Sequence, residues 1–145
     1  PGALPRHVLV AEDDEVNAMI VTAFLDSLGV GCERVPDGQQ AVRRALRDHD
    51  RPDLVLMDCR MPVMDGMAAT AEIRLQEQAL GLPRLPILAL TAADAESDRA
   101  ACLAAGMDRV IGKPFTREQL LQALREAGPA RTGPATADPG ARSRP

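Results

Sequence analysis

Six residues in this sequence, gathered behind four aliphatic runs, have types that suit phosphoryl chemistry. Each follows a short aliphatic run. Glu12, Asp13 and Asp14 come after HVLVA (His7–Ala11), and Asp58 comes after DLVLM (Asp53–Met57). Thr91 comes after PILAL (Pro86–Leu90), and Lys113, with Pro114 beside it, comes after the shorter RVI (Arg109–Ile111). Carboxylates gathered in one place repel one another and call for a cation. Hard oxygen donors in a partly open site suit Mg²⁺, which keeps several of its waters. A carboxylate beside such a cation can act as a nucleophile and form an aspartyl phosphate. An ammonium from another strand neutralises phosphoryl oxygens, and a hydroxyl hydrogen-bonds to them. Each signal alone has an ordinary reading. Asp14 suits a helix N-cap, Glu12 and Asp13 suit solvated surface charges, Thr91 suits a turn, and a lysine before a proline is commonplace. The case rests on all of them falling at strand ends in one chain.

The elements that must position these residues follow from hydrophobic periodicity. The runs at His7–Ala11, Asp53–Met57 and Pro86–Leu90 are continuous rather than alternating, as in strands buried on both faces of a parallel sheet. Gly31–Val35 and Arg109–Ile111 supply weaker, edge-type strands. Between them lie helical patterns. Val16, Met19, Ile20, Ala23 and Phe24 share a helical spacing that Gly29 ends. Ala41, Val42, Ala45 and Leu46 form a face behind an Asp37 cap, and Ala69, Ile73 and Leu80 fit a third helix less strictly. Asp94 can cap a fourth helix ending at Gly106. Thr116 with Gln119 forms a capping box, followed by Leu120, Leu121 and Leu124. Strand and helix alternate five times, which predicts an α/β fold with a parallel sheet and right-handed crossovers. Ligands in such sheets bind beyond the carboxyl ends of the strands.

Composition narrows the function classes. The 145 residues carry a formal net charge of −4, and 46% are hydrophobic but only 1% aromatic. The core must be aliphatic, and neither a basic patch nor a stacking platform supports direct nucleic-acid binding. Three cysteines, Cys32, Cys59 and Cys102, show no paired spacing and read as small buried hydrophobes. His7 and His49 stand alone. No apolar run approaches the ~20 residues of a membrane span, so a cytoplasmic, reducing context is expected, which includes the cytoplasmic part of a membrane sensor. The opening PGALPR has no Met and reads as an internal start. From Gly128 the text turns Pro-, Gly- and Ala-rich without periodicity. The expected organisation is a domain over residues 5–127 and a disordered tail over 128–145.

VLVAEDDEVN, LVLMDCRMPVMDG, ALTA and GKPF, in this order and spacing, resemble the response-regulator receiver domain of two-component systems. The resemblance covers about residues 7–127, and Met57–Gly66 carries its most specific motif. It implies a flavodoxin-like (βα)5 doubly wound sheet of strand order 2-1-3-4-5. It implies Asp58 as phosphoacceptor, with Thr91 and Lys113 contacting the phosphoryl group. It further implies Mg²⁺ held by Glu12, Asp13, Asp58 and the backbone carbonyl of Arg60, and a cis Lys113–Pro114 bond. Ala92, Val110 and Pro114 fall at positions tied to switching. Val110 departs from the family, which carries an aromatic there, so the usual ring-based readout cannot operate. Arg60 and Ala93 fall where the family tunes phosphoryl lifetime. EDDEVN and MDGMAATAEIR look most like receivers attached to hybrid sensor histidine kinases, and a single-domain regulator is the rival parent. The implied partners are a histidine kinase or histidine phosphotransfer domain, with homodimerisation through the fourth helix, fifth strand and fifth helix, and without nucleic-acid or membrane contact. The domain itself would at most self-phosphorylate and autodephosphorylate.

Two other readings stand beside this one. One is a receiver-like interaction module that works without phosphate. The other is an aspartate-nucleophile phosphatase of the haloacid dehalogenase class, although Glu12–Val16 matches that class's nucleophile motif poorly. A flavodoxin-type cofactor domain lacks its phosphate loop and flavin-stacking aromatics here.

Overall fold

The computed structural model describes residues 4–47, 49–92 and 96–127. The expected tail (128–145), Ala93 and the Asp94 cap lie outside these residues. The elements run β1 (His7–Ala11), α1 (Glu15–Ser27), β2 (Gly31–Val35), α2 (Gly38–Ala45), β3 (Leu54–Asp58), α3 (Gly66–Leu80), β4 (Ile87–Ala92), α4 (Glu96–Ala105), β5 (Arg109–Lys113) and α5 (Arg117–Ala127). All strand pairings are parallel, in the order β2-β1-β3-β4-β5. This is the flavodoxin-like doubly wound order expected from the sequence.

The continuous apolar runs serve two cores at once, because successive strand residues point to opposite faces. Leu9, Ala11, Val55, Met57, Ile87 and Ala89 pack on one side with Ala41, Ala45, Ala69, Ile73 and Cys102 from α2, α3 and α4. Val8, Val10, Leu54, Leu56, Leu88 and Leu90 pack on the other with Val21 and Leu25 from α1 and Leu120 and Leu124 from α5. Each fully buried aliphatic side chain is worth about 1.5–3 kcal/mol, so these strands hold the rim residues rigidly. Cys59 and Cys102 are fully buried, as expected of small hydrophobes. Their sulfurs also meet, with α-carbons 7.1 Å apart, a pairing that the spacing had not indicated.

The caps at Asp14, Asp37 and Thr116 form as read, and Asp65 adds one for α3 that the sequence reading did not name. Asp14, Asp37 and Asp65 accept from the backbone N–H of Asn17, Gln40 and Ala68 at 2.9, 2.9 and 2.8 Å. The Thr116–Gln119 box closes in both directions, at 3.0 and 2.9 Å.

Three expectations are corrected. Val16, Met19 and Ile20 do not face the core: they are 63%, 65% and 47% exposed, and α1 buries Ala18, Val21 and Leu25 instead. The helix is apolar over more than one face, and the stripe nearer the sheet wins. On α3, Leu80 is exposed and Glu77 occupies the inner stripe, because the carboxylate of Glu77 is fully partnered. It accepts from Arg51 at 3.0 Å, Arg74 at 3.0 Å and the Leu85 N–H at 2.8 Å. Finally, β3, β4 and β5 run further than their apolar cores. Asp58 pairs with Leu90 and Lys113 with Ala92, so the polar rim residues belong to the ladder itself.

Candidate functional site

The chain leaves β1 for β2 on one side and returns to β3 on the other. The carboxyl ends of β1 and β3 therefore open a crevice at the point where strand order reverses. Glu12 and Asp13 enter it just past β1, and Asp58 enters it as the last residue of β3. Carboxylate oxygens from these three residues lie within 4.8 Å of one another. Lys113, ending β5, reaches back across β4 to this cluster. Its Nζ lies 3.4 Å from Glu12 Oε1 and 3.5 Å from Asp58 Oδ1. Thr91 lies in β4 between them and is buried.

One ammonium cannot balance three carboxylates, and the strain falls on Glu12. It is 1% exposed. Burial first, then the neighbouring Asp58 carboxyl, raises its pKa from 4.5 to about 7, against the pull of Lys113 and the Asp14 N–H. A group of hard oxygen donors this crowded fits a small divalent cation. The deep burial of Glu12 and the exposure of Asp13 leave such an ion open to water on one side.

The surrounding backbone is fixed by contacts the sequence pattern did not advertise. Arg34 of β2 donates to the carbonyls of Glu12 at 2.9 Å and Asp13 at 3.0 Å, pinning the acidic loop from the edge strand. Its position in the weak GCERV run had marked only a strand. Gly66 donates its N–H to the Cys59 carbonyl at 3.0 Å, and a Cβ there would collide with the carbonyl oxygen of Asp58. The glycine closing the Met57–Gly66 motif thus lets α3 start directly against the end of β3. The Arg60 N–H donates to Asp58 Oδ1 at 3.3 Å, so the backbone of Arg60 turns at the crevice. Lys113–Pro114 is cis, and the turn that follows packs Phe115 against Phe24 at 6.1 Å between ring centroids. Asp58, Thr91 and Lys113 line a cavity of about 510 Å³, together with Arg60, Asp98 and the α1 residues Asn17 and Ile20. Asp14 caps α1 and stays outside the carboxylate cluster. Val110 is half-buried against the α2–α4 side of the core.

Comparison with known proteins decides the family. The response regulator receiver domain family matches residues 8–125. The chain belongs to this family. Among curated relatives, transcription factor SKN7 of Chaetomium thermophilum is 41% identical over 121 residues, which is 83% of this chain and 15% of that protein. The chain spans at most 55% of the first curated relatives it matches. Among solved structures, the receiver domain of a sensor histidine kinase from Pseudomonas aeruginosa PAO1, with a magnesium ion coordinated in its active-site cleft, is 47% identical with a TM-score of 0.74. That match covers 83% of this chain and 95% of that one. A co-crystal structure of the Saccharomyces cerevisiae phosphotransfer protein Ypd1 with the receiver domain of Ssk1 matches at 28% identity and TM-score 0.78, covering 87% and 91%. As a receiver domain, the chain is a module of two-component signalling. No described helix is long and apolar enough to cross a membrane.

Proposed function

We propose that this receiver domain accepts a phosphoryl group on Asp58 from a phosphohistidine, with Mg²⁺, and switches or relays the signal. The observation that carries the reading is the convergence of Glu12, Asp13, Asp58 and Lys113 at one strand-end crevice. A carboxylate oxygen of Asp58 attacks phosphorus. The P–N bond to the donor imidazole breaks as the new P–O bond forms, and the imidazole leaves. Such transfers need mostly positioning and charge neutralisation. Lys113, already within ion-pair distance of Asp58, balances charge on the phosphoryl oxygens, and Thr91 offers them a hydroxyl. Glu12, Asp13, Asp58 and the Arg60 carbonyl would hold Mg²⁺, which supplies positive charge against both the carboxylates and the incoming phosphoryl group.

The partner is a histidine kinase or histidine phosphotransfer domain. Val16, Met19 and Ile20 form an exposed apolar face on α1, and Ile20 itself lines the cavity. An apolar surface at the mouth of a charged cleft suits a donor helix that presents its histidine to Asp58. The sensor-kinase receiver of Pseudomonas aeruginosa supports a kinase parent, and the Ypd1 complex supports a phosphotransfer protein as partner. Output runs through α4, β5 and α5, by a shift between pre-existing conformations.

Transfer is tested by mixing the chain with a phosphorylated histidine phosphotransfer protein and following both masses. Loss of phosphate from the donor with gain on the receiver is expected. Gain of acid-labile phosphate by Asp58→Asn would count against Asp58. If neither this donor nor a small acyl phosphate loads the chain, the phosphate-independent interaction module becomes the better reading.

A further inference from the structure

Arg60, two residues beyond Asp58, is held away from it by a second acid. Its Nε donates to Asp98 Oδ2 at 3.1 Å, and its Nη2 donates to Asp98 Oδ1. Asp98 is the third residue of α4 and only 13% exposed, whereas Arg60 is 69% exposed. The fixed partner is therefore the helix, and the mobile one is the long guanidinium arm. Both side chains line the same cavity as Asp58, Thr91 and Lys113.

We propose that Asp98 is a positioning residue that sets the lifetime of phosphorylated Asp58 by competing with the phosphoryl group for Arg60. The inference rests on the phosphoacceptor reading above. A phosphoryl group brings between one and two negative charges and three acceptor oxygens into the cavity. A guanidinium matches such an oxygen pair as well as it matches a carboxylate. Arg60 thus has two alternative anionic partners at one cleft. While it stays on Asp98, water reaches phosphorus freely. Water attacks, the P–O bond to Asp58 breaks, and the carboxylate and inorganic phosphate result. When Arg60 moves to the phosphoryl oxygens it covers them, and the first turn of α4 loses its tie to the β3–α3 loop. Phosphorylation would then reach α4 through an ion pair, in a chain where Val110 replaces the usual ring.

The test loads the chain with acetyl phosphate and Mg²⁺, removes the donor, and follows loss of the adduct by intact mass. The proteins compared are the unsubstituted chain, Asp98→Ala, Asp98→Asn, Arg60→Ala and the Arg60→Ala double variants. Freeing Arg60 should lengthen the lifetime about two- to fivefold in Asp98→Ala, the scale of one partly exposed ion pair. Asp98→Asn should move in the same direction. Both effects should vanish in the Arg60→Ala background, which a purely structural role for Asp98 would not do. An adduct whose lifetime is unchanged or shorter in Asp98→Ala, or that changes equally with and without Arg60, overturns this inference alone. No adduct on the unsubstituted chain from acetyl phosphate or a phosphohistidine donor overturns the phosphoacceptor reading, and this inference with it.

Discussion

Replacing Glu12 by Gln should stabilise the metal-free protein at alkaline pH and leave it unchanged in acid. The buried Glu12 carboxyl has its pKa raised from 4.5 to about 7. Between those values the folded chain holds a proton that the unfolded chain releases, so stability falls as pH rises through the window. Above about 7 the full cost is present. At about 1.36 kcal/mol for each tenfold change in proton affinity, it is on the order of 3 kcal/mol. Glutamine keeps the shape and an acceptor oxygen for the Asp14 N–H, but carries no charge at any pH. Urea denaturation in EDTA should therefore give Glu12→Gln a gain of about 3 kcal/mol at pH 8. The gain should shrink toward zero near pH 4.5. Adding Mg²⁺ should reverse the order at pH 8, because the unsubstituted chain then binds the ion through a carboxylate the variant lacks. An equal gain at both pH values, or none at pH 8, would refute the argument that charge crowding is stored at Glu12.

Two further substitutions separate the site from the scaffold. Gly66→Ala drives a methyl group into the Asp58 carbonyl. It should cost about 1–3 kcal/mol by overpacking and slow phosphoryl acceptance, read by denaturation and by adduct formation on the same samples. Glu77→Ala takes their shared carboxylate from the part-buried Arg51 and Arg74, of which, among the described residues, only Arg74 keeps another, Asp108. It should cost about 3–5 kcal/mol, while the protein that remains folded accepts phosphate at the original rate.

Much of this arrangement was legible in the chain. The uninterrupted runs around Val8, Leu56 and Leu88 marked central strands, because only a doubly covered sheet uses every residue of a strand in a core. Asp37, Thr116 and Gln119 announced their helices through local hydrogen bonds that need no tertiary context. Glu12, Asp13, Asp58, Thr91 and Lys113 were readable because strand ends converge in this topology. What the sequence concealed depends on long-range choices. The α1 pattern allowed more than one apolar face inward, and only packing on the sheet selected Val21 and Leu25 over Val16 and Met19. The buried place of Glu77 has no local signal, because it depends on Arg51, 26 residues away in sequence. Arg34 and Asp98 carry no motif, since their roles come from a neighbouring strand and from the first turn of α4.

The central claim is tested most directly by intact mass of the chain after incubation with acetyl phosphate, with Mg²⁺ or with EDTA, beside Asp58→Asn. A single phosphoryl adduct that requires both Mg²⁺ and Asp58 is the predicted result. An adduct that persists in Asp58→Asn, or that forms equally in EDTA, would contradict it.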